Sequence, residues 1–271
     1  MSSRERRFIE RYVVGRADRP REDYETGVGS ETQPTRPDFR PFNPEGPLRV
    51  YVRHLPHWRQ PGATYFVTFR QDDSIPASVL AEWADIRERW YRAHGLSEAW
   101  LKSDPDRFAS VYRQIDDGIR RAFEREQALL LHHELDQCHG SCVLRHLVPQ
   151  RILSESLPSF HGQRMWLGDT VVMPNHVHLI VQPIDGWELE DVLGSIKKWT
   201  SRLIRQWLTT QAESIQPRND GHNRPRFWQQ ESFDRIIRDE EEWVRFRRYI
   251  ADNPEAAKCR AGSYVYEPRD W

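Results

Sequence analysis

The chain has little of several things, and each shortage excludes something. Three cysteines in 271 residues (Cys138, Cys142, Cys259) make a poor disulfide framework, so a reducing cytoplasm is the expected setting. No uninterrupted apolar stretch is long enough to cross a bilayer. The N-terminal MSSRERRFIERYVVGR is basic but has neither an apolar core nor a small-residue cleavage site, so no secretory signal is expected. Net charge is almost nil: 40 Lys and Arg stand against 41 Asp and Glu, giving −1, so bulk charge gives no reason to expect a polyanion partner. No glycine-rich phosphate loop is present, which leaves a nucleotide-hydrolysing activity without support.

What is there is unevenly spread. Basic residues gather in Lys197–Arg205, Arg218–Arg226 and Arg245–Arg248, and acids in Asp239–Glu242. Eleven tryptophans are many for this length; a core role is the plain expectation for most, Trp228 included, although an aromatic beside Arg can also stack on a base. Residues 1–48, rich in Arg, Pro, Glu and Thr without an apolar period, read as a disordered arm, leaving one domain over 49–271.

Within that domain, ATYFVTFR (Ala63–Arg70) alternates like a strand, with Gly62 supplying the turn before it. Residues 76–135 switch to helical spacing in two segments, the second opened by Asp104-Pro105, and form a helical insertion. CVLRHLVPQRILSESLPSF reads as a helix, then MWLGDTVVM and HVHLIVQP as two strands parted by Pro174-Asn175. Glu188–Thr210 is a long amphipathic helix with Lys197, Lys198, Arg202 and Arg205 on its polar side. Residues 211–224 read as loop and Arg226–Arg238 as extended. Asp239 caps a last helix that Pro254 is expected to stop, before a short strand, SYVYE. The order predicts an α+β fold: one mainly antiparallel sheet with helices packed on one face.

The chemistry concentrates in two places. On a strand, residues two apart share a face, so His176, His178, Ile180 and Gln182 point one way and Val177, Leu179 and Val181 point into a core. Two imidazoles at this spacing can ligate one metal ion, but the motif by itself favours a pair of hydrogen-bonded structural histidines. On the last helix Tyr249 and Asn253 lie one turn apart on one face, beside a packing stripe of Trp243, Phe246 and Ile250. A core-edge tyrosine and a helix-end asparagine would look the same. HHELDQCHGSC (His132–Cys142) has CxxxC spacing with no second pair, and no zinc site is read from it.

Together MPNHVHLIV, FWQQESFDRIIRDEEE and YIADNP, with HLPHWRQPGATYFVTFR near the front, resemble the REP-associated tyrosine transposases of the single-tyrosine HUH superfamily. The resemblance covers residues 50–258 in order, interrupted by the insertion; NPEAAKCRAG departs from the family's usual NPVKAGL. It implies a ferredoxin-like HUH nuclease fold. It implies Tyr249 as nucleophile, and His176, His178 and Asn253 as ligands of a divalent ion, Mg2+ or Mn2+, where better-known relatives carry Gln in place of Asn. It implies cleavage and transfer of single-stranded DNA at a hairpin, through a 5′-phosphotyrosine. Lys197, Lys198, Arg202 and Arg205, with Arg235 and Arg238, are the expected phosphate contacts, against the plain alternative of a solvated basic face. A replication-initiator or relaxase-like nickase, and a hairpin-binding factor that no longer cuts, stand as alternatives. The sequence leaves monomer or homodimer open.

Overall fold

A computed structural model of the chain describes residues 38–52, 56–211 and 226–269. A two-stranded antiparallel hairpin, β1 (Arg49–Val52) and β2 (Pro56–Arg59), precedes the main sheet. The main sheet has β3 (Tyr65–Arg70), β4 (Met165–Val172), β5 (His176–Pro183), β6 (Phe233–Ile236) and β7 (Val265–Glu267), all antiparallel, in the order β6-β3-β5-β4-β7. Gly62, at φ +68°, turns the chain into β3, a backbone state that glycine adopts without Cβ strain.

Seven α-helices accompany the strands among the described residues: α1 (Ala77–Ala93), α2 (Trp100–Ser103), α3 (Pro105–Gln114), α4 (Asp117–Asp136), α5 (Leu147–Ser156), α6 (Leu189–Leu208) and α7 (Glu240–Ala256). The sheet carries helices on both faces, not on one as its element order suggested. Val67, Phe69, Val177, Leu179 and Val181 pack with Val148 and Ile152 of α5 and with Val192, Ile196 and Leu203 of α6. Phe66, Val171 and Ile180 on the opposite side pack with Ile250 of α7, joined by Trp243, Phe246 and Tyr249. Every residue of β5 is buried, as a central strand sandwiched between two helical layers must be.

The insertion contains α1–α4, where two helices were expected, and has a small core of its own: Tyr91, Leu96, Phe108, Tyr112 and Phe123. Asp104 caps α3 by accepting from Arg107 N at 3.1 Å, with Pro105 in the first helical position. The chain breaks again at Asp116, whose carboxylate takes the Gly118 and Ile119 amides and so restarts the helix as α4. The arm expected over 1–48 lies outside the described residues up to position 37. Residues 38–48 begin their contacts with the sheet early: Phe42 N donates to Ile237 O at 2.9 Å, Thr64 N donates to Arg40 O at 2.8 Å, and Phe39 packs on Trp243.

Helix α7 is fastened at both ends. Asp239 accepts from Glu242 N at 2.7 Å, and the buried Glu242 carboxylate gathers Arg238 N and the Arg235 and Arg245 guanidinia. Pro254 does not stop it. The helix runs two residues further and closes with Lys258 in the left-handed region at φ +53°. Midway, β4 bulges: two residues, Gly168 and Asp169, oppose one on β5. The bulge presents the buried Asp169 to Arg247 of α7 at 2.9 and 3.2 Å, and to Arg269 N at 2.9 Å. Asp169→Ala removes the carboxylate that takes both the Arg247 guanidinium and Arg269 N, and should lower stability by roughly 2 kcal/mol. Urea unfolding reads this as a lower midpoint; an unchanged midpoint would show that the bulge does not hold α7.

Candidate active site

Strand β5 begins immediately after the Pro174-Asn175 break, so its first alternate pair, His176 and His178, emerges on the α7 side of the sheet. Both rings are wholly buried. Their Nε2 atoms face each other at 2.9 Å. The other nitrogen of each ring is held by a neighbour. Asn175 Oδ1 lies 2.7 Å from His176 Nδ1, and Thr68 Oγ1 of β3 lies 2.7 Å from His178 Nδ1.

These contacts fix protons. Asn175 Nδ2 donates to the His139 carbonyl at 3.1 Å, which turns Asn175 Oδ1 toward His176. An oxygen there can only accept, so His176 carries its proton on Nδ1 and presents a lone pair at Nε2. Thr68 can donate or accept. With its hydroxyl donating, His178 donates from Nε2 to His176; with its hydroxyl accepting, both Nε2 lone pairs face the same point. The second arrangement suits a shared cation, since adjacent corners of an octahedral ion with bonds of about 2.1 Å are about 3 Å apart.

Tyr249 on α7 is brought against this pair. Its ring centroid is 5.3 Å from that of His178 and 5.8 Å from that of Phe66, which also stacks on His178 and on Phe246. One turn on, the buried Asn253 donates from Nδ2 to the Tyr249 hydroxyl at 3.3 Å and to Asp136 Oδ1 at 3.1 Å. Its Oδ1 is buried with no hydrogen-bond partner among the described residues, although the carboxamide is near enough to favour a protonated His176. No group of three His, Cys, Asp or Glu among the described residues could hold a metal ion, so a candidate cation site here consists of two imidazoles and an amide oxygen. That oxygen, orphaned and buried, fits the role.

Burial sets the charge states. Desolvation lowers His176 to about 3 and His132 to about 4. Desolvation, then the neighbouring rings of His176 and His132, hold His178 well below its ordinary value. All three imidazoles are therefore neutral near pH 7, the form that ligates. Burial first, and then the Asp136 charge, push the Tyr249 phenol upward.

Sequence reasoning missed part of this site. His132 of α4 stands 5.4 Å from both His178 and Tyr249, ring to ring, with its Nε2 buried and unbonded among the described residues. Asp136, one turn later, meets Asn253. The i, i+4 spacing of His132 and Asp136 was visible, but nothing marked that face of α4 as turned inward.

Of the basic residues named from sequence, four lie on α6, and Arg235 and Arg238 are drawn to Glu242 in the first turn of α7. Helix α6 covers the face of the sheet opposite the histidine pair. Its Lys198, Arg202 and Arg205 are exposed, Arg202 lying over the Trp199 ring. The Lys197 ammonium is engaged by the carbonyls of Gln229, Gln230 and Glu231 at 3.0–3.4 Å, so it shapes that loop. Arg235 is paired with Glu242, and Arg238 donates its backbone N–H to the same carboxylate. Trp228 is buried in the core and donates to Thr200 Oγ1 at 2.9 Å. Of the loop expected over 211–224 and the basic run Arg218–Arg226, only Gln211 and Arg226 are among the described residues.

The three depressed histidines give a signed pH dependence. Unfolded, each binds a proton as pH falls through about 6.5; folded, each stays neutral, so stability is lost on acidification below that point. Each contributes a slope of up to about 1.4 kcal/mol per pH unit. Thermal unfolding should therefore move to lower temperature from pH 7 to pH 5, and His132→Phe should make that fall shallower. An equal slope in the variant would contradict the neutral burial of His132.

Residues 160–253 match the family model described as IS200-like transposase. A search of solved structures finds a REP-associated tyrosine transposase bound to a REP hairpin, at 12% identity and a TM-score of 0.32, covering 77% of this chain and 71% of that one. No curated protein matches the chain. The matched segment takes in β4, β5, α6, β6 and most of α7, and so includes both histidines, Tyr249 and Asn253. Over the stretch that builds this site, the chain is similar to the IS200-like transposases.

Proposed function

We propose that the chain is a DNA strand transferase, cutting single-stranded DNA beside a hairpin through a covalent 5′-phosphotyrosine at Tyr249, with Mg2+ or Mn2+. The observation that carries this reading is the meeting of Tyr249 with the paired imidazoles on one face of the sheet, inside the segment similar to the transposases. His176, His178 and Asn253 would hold the ion. Bound there, it supplies a Lewis acid for a non-bridging oxygen of the scissile phosphate.

The rest falls to side chains of the chain. The Tyr249 oxygen attacks phosphorus as its proton passes to water; the bond from phosphorus to the 3′ oxygen breaks, and that oxygen takes a proton from water and departs as a free 3′-OH. The phosphoryl bond energy is retained in the tyrosyl ester, so a second 3′-OH can reverse the step onto another strand. Asn253 Nδ2, on the Tyr249 hydroxyl, orients the phenol oxygen but can take no proton from it. Lys198, Arg202 and Arg205, being across the sheet, would hold hairpin phosphates away from the cut.

A second reading has one observation in its favour: neither histidine has exposed surface, and α4 covers them. A hairpin-binding factor that no longer cuts would look like this. For a cutting enzyme, α4 must shift to admit the phosphate. A hairpin-bearing oligonucleotide decides between the two. The unchanged protein should give a denaturation-resistant adduct with Mn2+ or Mg2+ and none with EDTA. Tyr249→Phe should give none, and His176→Ala should lower adduct yield at least about 100-fold. Retention of the hairpin with no adduct under any metal would replace the enzyme with the binding factor.

A further inference from the structure

We propose that Asp136, the last residue of the inserted helix α4, is a positioning residue that orients the Asn253 carboxamide for the cation; this rests on the metal-dependent reading above. An amide side chain has two ends of nearly equal shape and opposite hydrogen-bonding sense. Only one orientation of Asn253 serves a metal ion, that with Oδ1 toward the histidines. Tyr249 cannot impose it, because a hydroxyl satisfies either end. Asp136 can. Its carboxylate only accepts, so the Nδ2 end must face it, and does so at 3.1 Å. The oxygen is thereby turned away into a buried position where no described residue bonds it. Leaving such a group unpaired is unfavourable. A ligated ion would remove that penalty.

The same short segment orients the other carboxamide of the site. The carbonyl of His139, three residues on, takes the Nδ2 end of Asn175 and so sets the His176 tautomer. Residues 136–139 therefore determine which way both amides point. The turn that carries them is itself fixed. Cys138 and Cys142 adopt left-handed backbone, at φ +52° and +48°. Gly140, at φ +87°, lies so close to the Asp73 carbonyl that a Cβ would come within 2.3 Å of its oxygen. Ser141 N donates to Asp73 Oδ2 at 2.9 Å. The insertion is thus more than an appendage: its end supports the ligand shell from outside, as outer partners of metal ligands do.

The test is Mn2+ titration of the full chain without DNA, by calorimetry. Asp136→Asn keeps the shape but adds a donor that can bond Asn253 Oδ1, so the amide is free to turn over. The expected result is at least a tenfold weaker Mn2+ affinity, with the metal-free melting temperature close to that of the parent. In an Asn253→Asp background, whose two oxygens are interchangeable, Asp136→Asn should cause no such loss. Parental affinity in Asp136→Asn, or the same loss in both backgrounds, would overturn the positioning role while leaving the metal site standing. Failure of the parent itself to bind Mn2+ would overturn the metal reading, and this inference with it.

Discussion

Everything in this molecule turns on two imidazoles buried on one side of a central strand with their Nε2 atoms 2.9 Å apart. Burying two histidines is unfavourable unless every ring nitrogen finds a hydrogen-bond partner. Here Asn175 and Thr68 answer the outer nitrogens, and the inner ones answer each other. The arrangement dictates the surroundings. β3 must lie beside β5 to bring Thr68, the turn after α4 must reach Asn175, and α7 must lie across the strand to complete the face with Tyr249 and Asn253.

The two layers of helices divide the work. On one side α5 and α6 seal the sheet with apolar packing, and Lys198, Arg202 and Arg205 of α6 face outward. On the other, α7 is fastened by a capped N-terminus, a buried glutamate and the bulge aspartate, which together hold Tyr249 in place against a polar, desolvated pair. The inserted helices close over that second side. They have their own aromatic core, and they return to the sheet with His132 and Asp136 facing the site.

Much of this was legible in the sequence. The two-residue alternation of HVHLIVQP separated Val177, Leu179 and Val181 from His176 and His178 correctly, because a strand allows no other division. The helical spacing of α7 put Tyr249 and Asn253 on one face beside Trp243, Phe246 and Ile250 for the same reason. What escaped has physical causes. Helices on both faces were hidden because element order does not say on which face each helix packs, and the second face of β5 sets His and Gln beside its one apolar residue, Ile180. The continuation of α7 past Pro254 was hidden because a proline near a helix end forfeits only one ladder bond. The inward face of α4 was hidden because His and Asp four residues apart in a charged helix look like any solvated stripe. Three of the polar partners, Thr68, His132 and Asp136, lie far along the chain from His178, Tyr249 and Asn253, which they meet, and only the fold brings them there.

The central claim is that His176 and His178 share one cation beside Tyr249. Pulsed electron paramagnetic resonance of Mn2+ bound to the full chain tests it most directly. The account predicts nitrogen couplings from two imidazoles, reduced to one in His178→Ala. A bound Mn2+ with no imidazole coupling, or with couplings unchanged by that substitution, would contradict it.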